Sequence, residues 1–394
     1  MSRPAPVPVE SLPKGVVAVG VASLLMTFGE ELWKRFVPKY LEALGAPVTA
    51  IGAYGTIRDT LDGLYQYPGG WIADHLGRRR ALQIFIGVAA AGYLLLALAP
   101  TWQVALLGVV LMMAWGASAN PALFAVIGDA LARGKRISGF TLQSMLRRAP
   151  ILIAPIAGGA LMAARGVESG VRLALLATIA LAAMTLAVLR FVPPTPPTEA
   201  PDHTIDHVWR HFPPALSRLL ASDVLVRFAE GMVDVLLVIY ATNVVGIGVA
   251  QFGVLISVQV GTSLLIYLPA MRLGRAIGQK ALVTLTFIAF AAFPLAVVTA
   301  NSFEWLLVAF VIGGLREIGE PARKAMIVDL ADPRMRARSV GLYYLIRSLS
   351  IAPAGVLGAF LWLAAPSLPF VIAAGVGLLA AIVFVVTVRP HEAA

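Results

Sequence analysis

The chain is 394 residues long, 59% hydrophobic and only 13% charged, and it contains no cysteine. A globular domain carries about 25% charged residues, so a water-soluble protein is excluded, and the lack of cysteine excludes disulfide and thiol chemistry. The formal charge of +10 does not signal a nucleic-acid partner, because the cations lie in short loops between apolar runs, where membrane topology places them.

In chain order, residues 1–13 form a short Pro-rich tail, and the apolar run behind it has no small-residue cleavage site, so no cleavable leader is expected. Twelve apolar runs follow, at roughly 14–40, 48–72, 81–99, 102–130, 138–164, 170–192, 218–244, 249–273, 281–300, 303–330, 338–364 and 368–388. They run from about 19 to 29 residues, enough for a helix to cross a ~30 Å hydrocarbon core. Span 2 is followed by Arg78, Arg79 and Arg80, span 4 by Arg133, Lys135 and Arg136, span 8 by Arg272, Arg275 and Lys280, and span 10 by Arg334, Arg336 and Arg338. The opposite loops, such as Pro100-Thr101-Trp102 and Asn301-Ser302-Phe303, are short and poor in charge. The positive-inside rule then puts both termini in the cytoplasm, and a prokaryotic inner membrane is the expected location.

Residues 193–216 interrupt the pattern with a Pro-rich stretch that reads as a stiff linker. Residues 14–192 and 217–388 are expected to form one six-helix bundle each, with 389–394 as a C-terminal tail. Within the linker His203, His207 and His211 share a face if the segment is helical. With no cysteine and with prolines around them, a solvated face is expected there rather than a metal site.

The two halves repeat. Phe28, Glu30 and Tyr40 recur as Phe228, Glu230 and Tyr240, Gly45 to Gly52 as Gly246 to Gly253, and Pro121 and Asp129 as Pro321 and Asp329. A parallel repeat of six spans, with acids at matching depths, is an alternating-access architecture. The fold class expected is an all-α membrane protein of twelve transmembrane helices in two pseudo-symmetric six-helix bundles.

Span 2 ends in Gly70-Trp71-Ile72-Ala73-Asp74-His75-Leu76-Gly77-Arg78-Arg79-Arg80. This resembles the loop 2–3 signature of the major facilitator superfamily. On its own terms Gly70 permits close helix packing, and Asp74 stands where an ion pair with Arg78 can hold one conformation shut. The resemblance adds Asp129, at the end of span 4, to that gating cluster, and it covers roughly residues 14–388. The second half keeps a worn copy, Pro269 to Lys280, in which Arg275 takes the place of Asp74. Span 5 carries Ala154-Pro155-Ile156-Ala157-Gly158-Gly159, similar to the antiporter motif of the same family, with Ala in its first position. This resemblance, to drug or solute:proton antiporters, implies efflux by exchange, with Pro155, Gly158 and Gly159 making a bendable, tightly packed helix. One departure is Met112, four residues before Gly116, where many proton-driven exporters of the family have Arg.

Ionised groups at bilayer depth cost roughly 2.5–3.5 kcal/mol each on insertion scales, so those present must pair or face a polar cavity. Glu30 and Lys34 are spaced to share a helical face, as are Glu31 with Lys34 and Arg35, Arg58 with Asp62, and Arg227, Glu230 and Asp234. Arg316, Glu317, Glu320, Arg323 and Lys324 follow suit on span 10, while Arg147, Arg148 and Arg347 lie on spans 5 and 11. The resemblance implies a central cavity lined by spans 1, 4, 7 and 10. The candidate substrate or proton site is then Glu30, Glu31, Lys34, Trp115, Asn120, Arg148, Glu230, Asp234, Arg316 and Glu320, with Glu30 and Glu230 on opposite walls. The gating set is Gly70, Asp74, Gly77, Arg78, Asp129, Pro155, Gly158 and Gly159. The same charges also read as structural ion pairs, and the sequence leaves that open.

No GxxxxGK[ST], HExxH or Ser-His-Asp arrangement is present, so an enzyme or ATP-driven pump is not expected. The leading expectation is a secondary transporter of a small organic solute, working by proton-coupled efflux with no cofactor beyond a proton gradient. Proton-coupled metabolite uptake and lysolipid flipping on the same fold are the alternatives. Expected partners are the solute, protons and the bilayer, with the chain a monomer.

Overall fold

The computed structural model describes residues 13–130, 136–194, 212–331 and 336–388. The linker histidines His203, His207 and His211 lie outside the described residues, as do Arg133, Lys135 and Arg334 and both tails. The side chains of Asp74, Asn120, Asp129, Arg272, Arg275, Arg336 and Arg338 also lie outside the described set.

Regular structure among the described residues is helical throughout. The first half runs α1 (Lys14–Glu31), α2 (Val37–Ala43), α3 (Val48–Leu76), α4 (Arg78–Ala97), α5 (Trp102–Ala130), α6 (Arg136–Arg165) and α7 (Val167–Val188). The second runs α8 (Pro214–Asp234), α9 (Val249–Ile277), α10 (Gln279–Thr299), α11 (Phe303–Leu315), α12 (Glu320–Leu330), α13 (Arg336–Ile351), α14 (Ala354–Ala364) and α15 (Leu368–Thr387). Among the described residues, eight stretches are long and apolar enough to cross a membrane by composition alone. The other four spans are α3, α6, α8 and the α11–α12 pair, and these carry most of the charged residues singled out above, with Glu30, Glu31, Lys34 and Arg35 on span 1 and Arg347 on span 11. Twelve transmembrane spans thus form two six-helix bundles.

Within the twelve spans, the helix is broken at spans 1, 7, 10 and 11. Span 1 breaks after Glu31 and restarts through a 3-10 turn, Lys34–Phe36, into α2. Span 7 breaks after Asp234 and continues as a short turn, Leu237–Ile239, and a π turn, Tyr240–Val244. Span 10 breaks between Leu315 and Glu320, and span 11 between Ile351 and Ala354. Three of the restarts coincide with proline: Pro38 in the first turn of α2, Pro321 in that of α12 and Pro353 at the N-cap of α14. A proline has no N–H to donate and fits most readily in the first helical turn, where none is required. By contrast α6 runs unbroken through Pro150 and Pro155.

By contacts the chain forms two compact units, residues 1–44 with 61–201 and residues 45–60 with 202–394. In the first, α4 packs on α5 and α7, and α1 on α6 and α7. In the second, α10 packs on α11 and α15, and α8 on α13, α14 and α15. These are the same pairings one repeat apart.

Glycine positions repeat the symmetry at atomic scale. Gly77 (φ 79°) joins α3 to α4 and Gly278 (φ 83°) joins α9 to α10, in a left-handed conformation that favours glycine. A Cβ on Gly158 would run into the carbonyl of Leu32, at the break in span 1, and one on Gly358 into the carbonyl of Met232, near the end of α8. Both pairs are 200 residues apart, and both let a helix of the fifth or eleventh span press on the backbone of the first or seventh.

Candidate functional site

In the first unit, the break after Glu31 and the helix α5 frame a cavity of about 110 Å³. Its wall includes Ser23, Thr27, Glu30, Glu31 and Lys34 from span 1, Asp62 from α3, Met112, Met113, Trp115 and Gly116 from α5, and Arg147 from α6. Of the residues expected at the site, Glu30, Glu31, Lys34 and Trp115 are therefore brought together. Arg147 is the lining arginine of span 5, where the sequence reading chose Arg148, and Asn120 lies outside the described side chains.

The partner of Glu30 is a residue the sequence reading missed. Tyr93 of α4, fully buried, donates its hydroxyl to Glu30 Oε1 at 2.6 Å. Helix α1 ends at Glu31, so Lys34 follows Glu30 across a break rather than along one continuous helical face, and both still line the cavity. Among the described residues Glu30 forms no ion pair, whereas Glu31 has Arg35 at 3.7 Å. Trp33 is fixed beside it: its ring meets Tyr93 edge-on at 5.6 Å, and Nε1 donates to Thr178 Oγ1 of α7 at 3.0 Å. Thr178 in turn donates to main-chain carbonyls of Gly29 and Ala174. Span 1 is thus tied to α4 and α7 around the break by side-chain hydrogen bonds.

In the second unit the corresponding acids are clamped. Glu230 receives Arg227 at 2.8 Å and Arg316 at 3.1 Å. Arg227 also reaches Glu320 at 3.2 Å, and Arg323 binds both Glu320, at 2.6 Å, and Asp223. Tyr343 donates to Asp223 at 2.9 Å, with Arg347 at 3.7 Å. The Arg316 guanidinium lies 4.5 Å from the centroid of Phe293 and 5.0 Å from that of Phe290. Asp223 was overlooked as an acid in an apolar run, though its position in span 7 was signal enough. The expected single stripe on span 10 is corrected: Arg316 and Glu317 lie in the break, and only Glu320 onward is on α12.

The expected Arg58–Asp62 pair is also corrected. Arg58 binds Asp59 at 3.0 Å and Asp234 at 2.7 Å, both in the second unit, while Asp62 lines the cavity of the first. A neighbour supplied by another helix outcompetes one supplied by sequence spacing.

Of the gating set, Gly77 takes its positive φ at the α3–α4 turn and Arg78 opens α4. Pro155, Gly158 and Gly159 are buried in α6, with Gly158 against Leu32. Gly70 is half-buried in α3, and the Asp74 and Asp129 side chains lie outside the described set.

The description Major Facilitator Superfamily matches residues 19–229 and again 219–394. An uncharacterised MFS-type transporter of Methanocaldococcus jannaschii is 21% identical over 374 residues, covering 91% of each chain. Among solved structures, a POT family transporter in complex with 5-aminolevulinic acid superposes with a TM-score of 0.80 at 16% identity, over 98% of this chain and 99% of that one. The nucleoside transporter NupG does so with a TM-score of 0.78 at 13% identity, over 95% and 100%. The human organic anion transporter MFSD10 gives 0.66 at 17% identity, over 94% and 99%. At such identities the superpositions establish the fold alone, whereas the family match spans both halves of the repeat. The chain is an integral, multi-pass membrane transporter that belongs to the Major Facilitator Superfamily.

Proposed function

We propose that this transporter moves a small organic solute by alternating access, exporting it in exchange for protons, with Glu30 as the carboxyl that carries proton and solute in turn. The observation that carries the reading is the contrast between repeats. Glu230 is locked by Arg227 and Arg316, while Glu30 faces a cavity with a neutral Tyr93 as its hydrogen-bond donor. A carboxyl whose nearby cations, Lys34 and Arg147, share its cavity without forming an ion pair with it can exchange its proton for another partner, and one held by two guanidinium groups is a structural element.

Export rests on the likeness of Ala154–Gly159 to the family's antiporter motif; Gly158 of that segment bears on the break of the helix that carries Glu30. The Gly70–Arg78 loop with Asp129 is proposed as the cytoplasmic gate, and residues 14–192 and 217–388 as the two bundles of a monomer in a prokaryotic inner membrane, both termini cytoplasmic. Uptake on the same fold is the second reading; peptide and nucleoside transporters are among the similar structures.

The test is internal pH in proteoliposomes under a pH gradient, challenged with cations, zwitterions and organic anions. Solute-evoked proton movement should appear in the wild type, vanish in Glu30→Gln and persist in Tyr40→Phe. Solute flux without proton movement would remove the coupling and leave a facilitator.

A further inference from the structure

The second unit displays the occupied form of a site that the first unit leaves open. Thr27 stands one residue before Phe28, as Arg227 does before Phe228, so the two share a position in the repeat. Arg316 falls opposite Gly116 when counted back from Pro121 and Pro321, and opposite Trp115 when counted on from Gly77 and Gly278. Thr27, Trp115 and Gly116 all line the cavity. Neither arginine that grips Glu230 has a basic residue at its own repeat position in the first unit, where the cations sharing the cavity with Glu30 are Lys34 and Arg147, although the carboxylate itself is retained.

The space left behind is real. A Cβ built on Gly116 meets nothing within 4 Å. Ser23, which takes the place of Asp223, lines the cavity and is 2% exposed, and its buried Oγ has no hydrogen-bond partner. The lining carries the carboxylates Glu30, Glu31 and Asp62 with the cations Lys34 and Arg147, and Glu31 is engaged by Arg35, whereas Glu30 forms no ion pair among the described residues. Trp33 and Trp115 give it aromatic walls, as Phe290 and Phe293 flank Arg316 in the second unit.

We infer that the solute of this transporter is a small guanidinium-type cation, bound by Glu30 as Glu230 binds Arg227 and Arg316. A planar guanidinium presents paired N–H donors matched to a carboxylate and stacks on aromatic faces. A spherical quaternary ammonium presents no donor, and an organic anion meets the wrong sign. The inference deepens the proposed function and rests on Glu30 facing the solute.

The experiment is calorimetric titration of the full chain in nanodiscs with methylguanidinium chloride, beside tetramethylammonium chloride and sodium acetate. Methylguanidinium should bind at least about 10-fold tighter than either, and Glu30→Gln should weaken it about 10- to 100-fold, the range of a charged hydrogen bond. Thr27→Arg and Gly116→Arg each restore an internal guanidinium and should abolish binding while the thermal midpoint holds; if either fails to fold, Glu30→Gln decides. Methylguanidinium binding no better than tetramethylammonium, or binding unchanged in Glu30→Gln, overturns the inference. The two readings separate cleanly. Proton movement evoked only by non-guanidine solutes sinks this inference and spares the proposed exchange, whereas methylguanidinium binding without proton movement does the reverse.

Discussion

Replacing Asp223 by Ser and Arg323 by Leu, singly and together, asks whether the second unit can adopt the first unit's solution, since Ser23 and Leu123 hold those positions one repeat earlier. The two side chains are 0% and 1% exposed. Removing one partner of so deeply buried a pair costs about 3–5 kcal/mol, because the other charge is stranded. Arg323 keeps Glu320 at 2.6 Å, and Asp223 keeps Tyr343 at 2.9 Å, so about 3 kcal/mol is expected for each single change. Independent effects would sum to about 6 kcal/mol. If the pair is a closed unit, the double variant should cost no more than either single one, a coupling of about 3 kcal/mol. At about 2–4 °C per kcal/mol for a unit of this size, each single variant should melt roughly 6–12 °C lower, and the double variant no lower than that. The assay is the thermal midpoint of the purified protein, followed by tryptophan fluorescence. Midpoint losses that simply add would refute the reasoning, because the cluster would then be separate local contacts.

Two further outcomes follow from the same geometry. Gly158→Ala and Gly358→Ala each force a methyl onto a neighbouring backbone, and the Leu32 carbonyl carbon lies 2.7 Å from that point, where ordinary contact begins at 3.4 Å. Overpacking of this kind costs about 1–3 kcal/mol, so both should melt several degrees low, while Gly87→Ala, with nothing within 4 Å, should not. Equal midpoints for all three would remove the close-approach argument. Thr178→Val strands the buried Trp33 N–H, at about 1–3 kcal/mol, and adding Trp33→Phe should recover part of that loss; a double variant worse than Thr178→Val alone would contradict it.

The repeat and the spans were legible because hydrophobic length and residue identity are written along the chain. Glu30 and Glu230 could be paired by arithmetic, but not told apart. The difference lies in what other helices bring to them, Tyr93 from α4 and Arg316 from the break in span 10. Arg58 shows the same limit: helical spacing offered Asp62, and Asp234 of α8 took the bond. The helix breaks were hidden because hydropathy is blind to backbone geometry, although Pro38, Pro321 and Pro353 mark three of them. Thr178 and Tyr93 escaped notice as lone polar groups within apolar runs.

The helix α3 is one unbroken run from Val48 to Leu76, yet residues 45–60 belong to the second unit and 61–76 to the first. Within the second unit Val356 N donates to Thr56 Oγ1 at 3.3 Å, and Gly52 and Gly355 pack backbone against backbone. Those partners are 300 residues apart in the sequence. During synthesis, then, a segment made among the first must wait for nearly the whole chain before its neighbours exist, a slow, non-local closure. A fragment beginning at the linker would lack part of its own interior, so the two halves of this repeat are not separable building blocks.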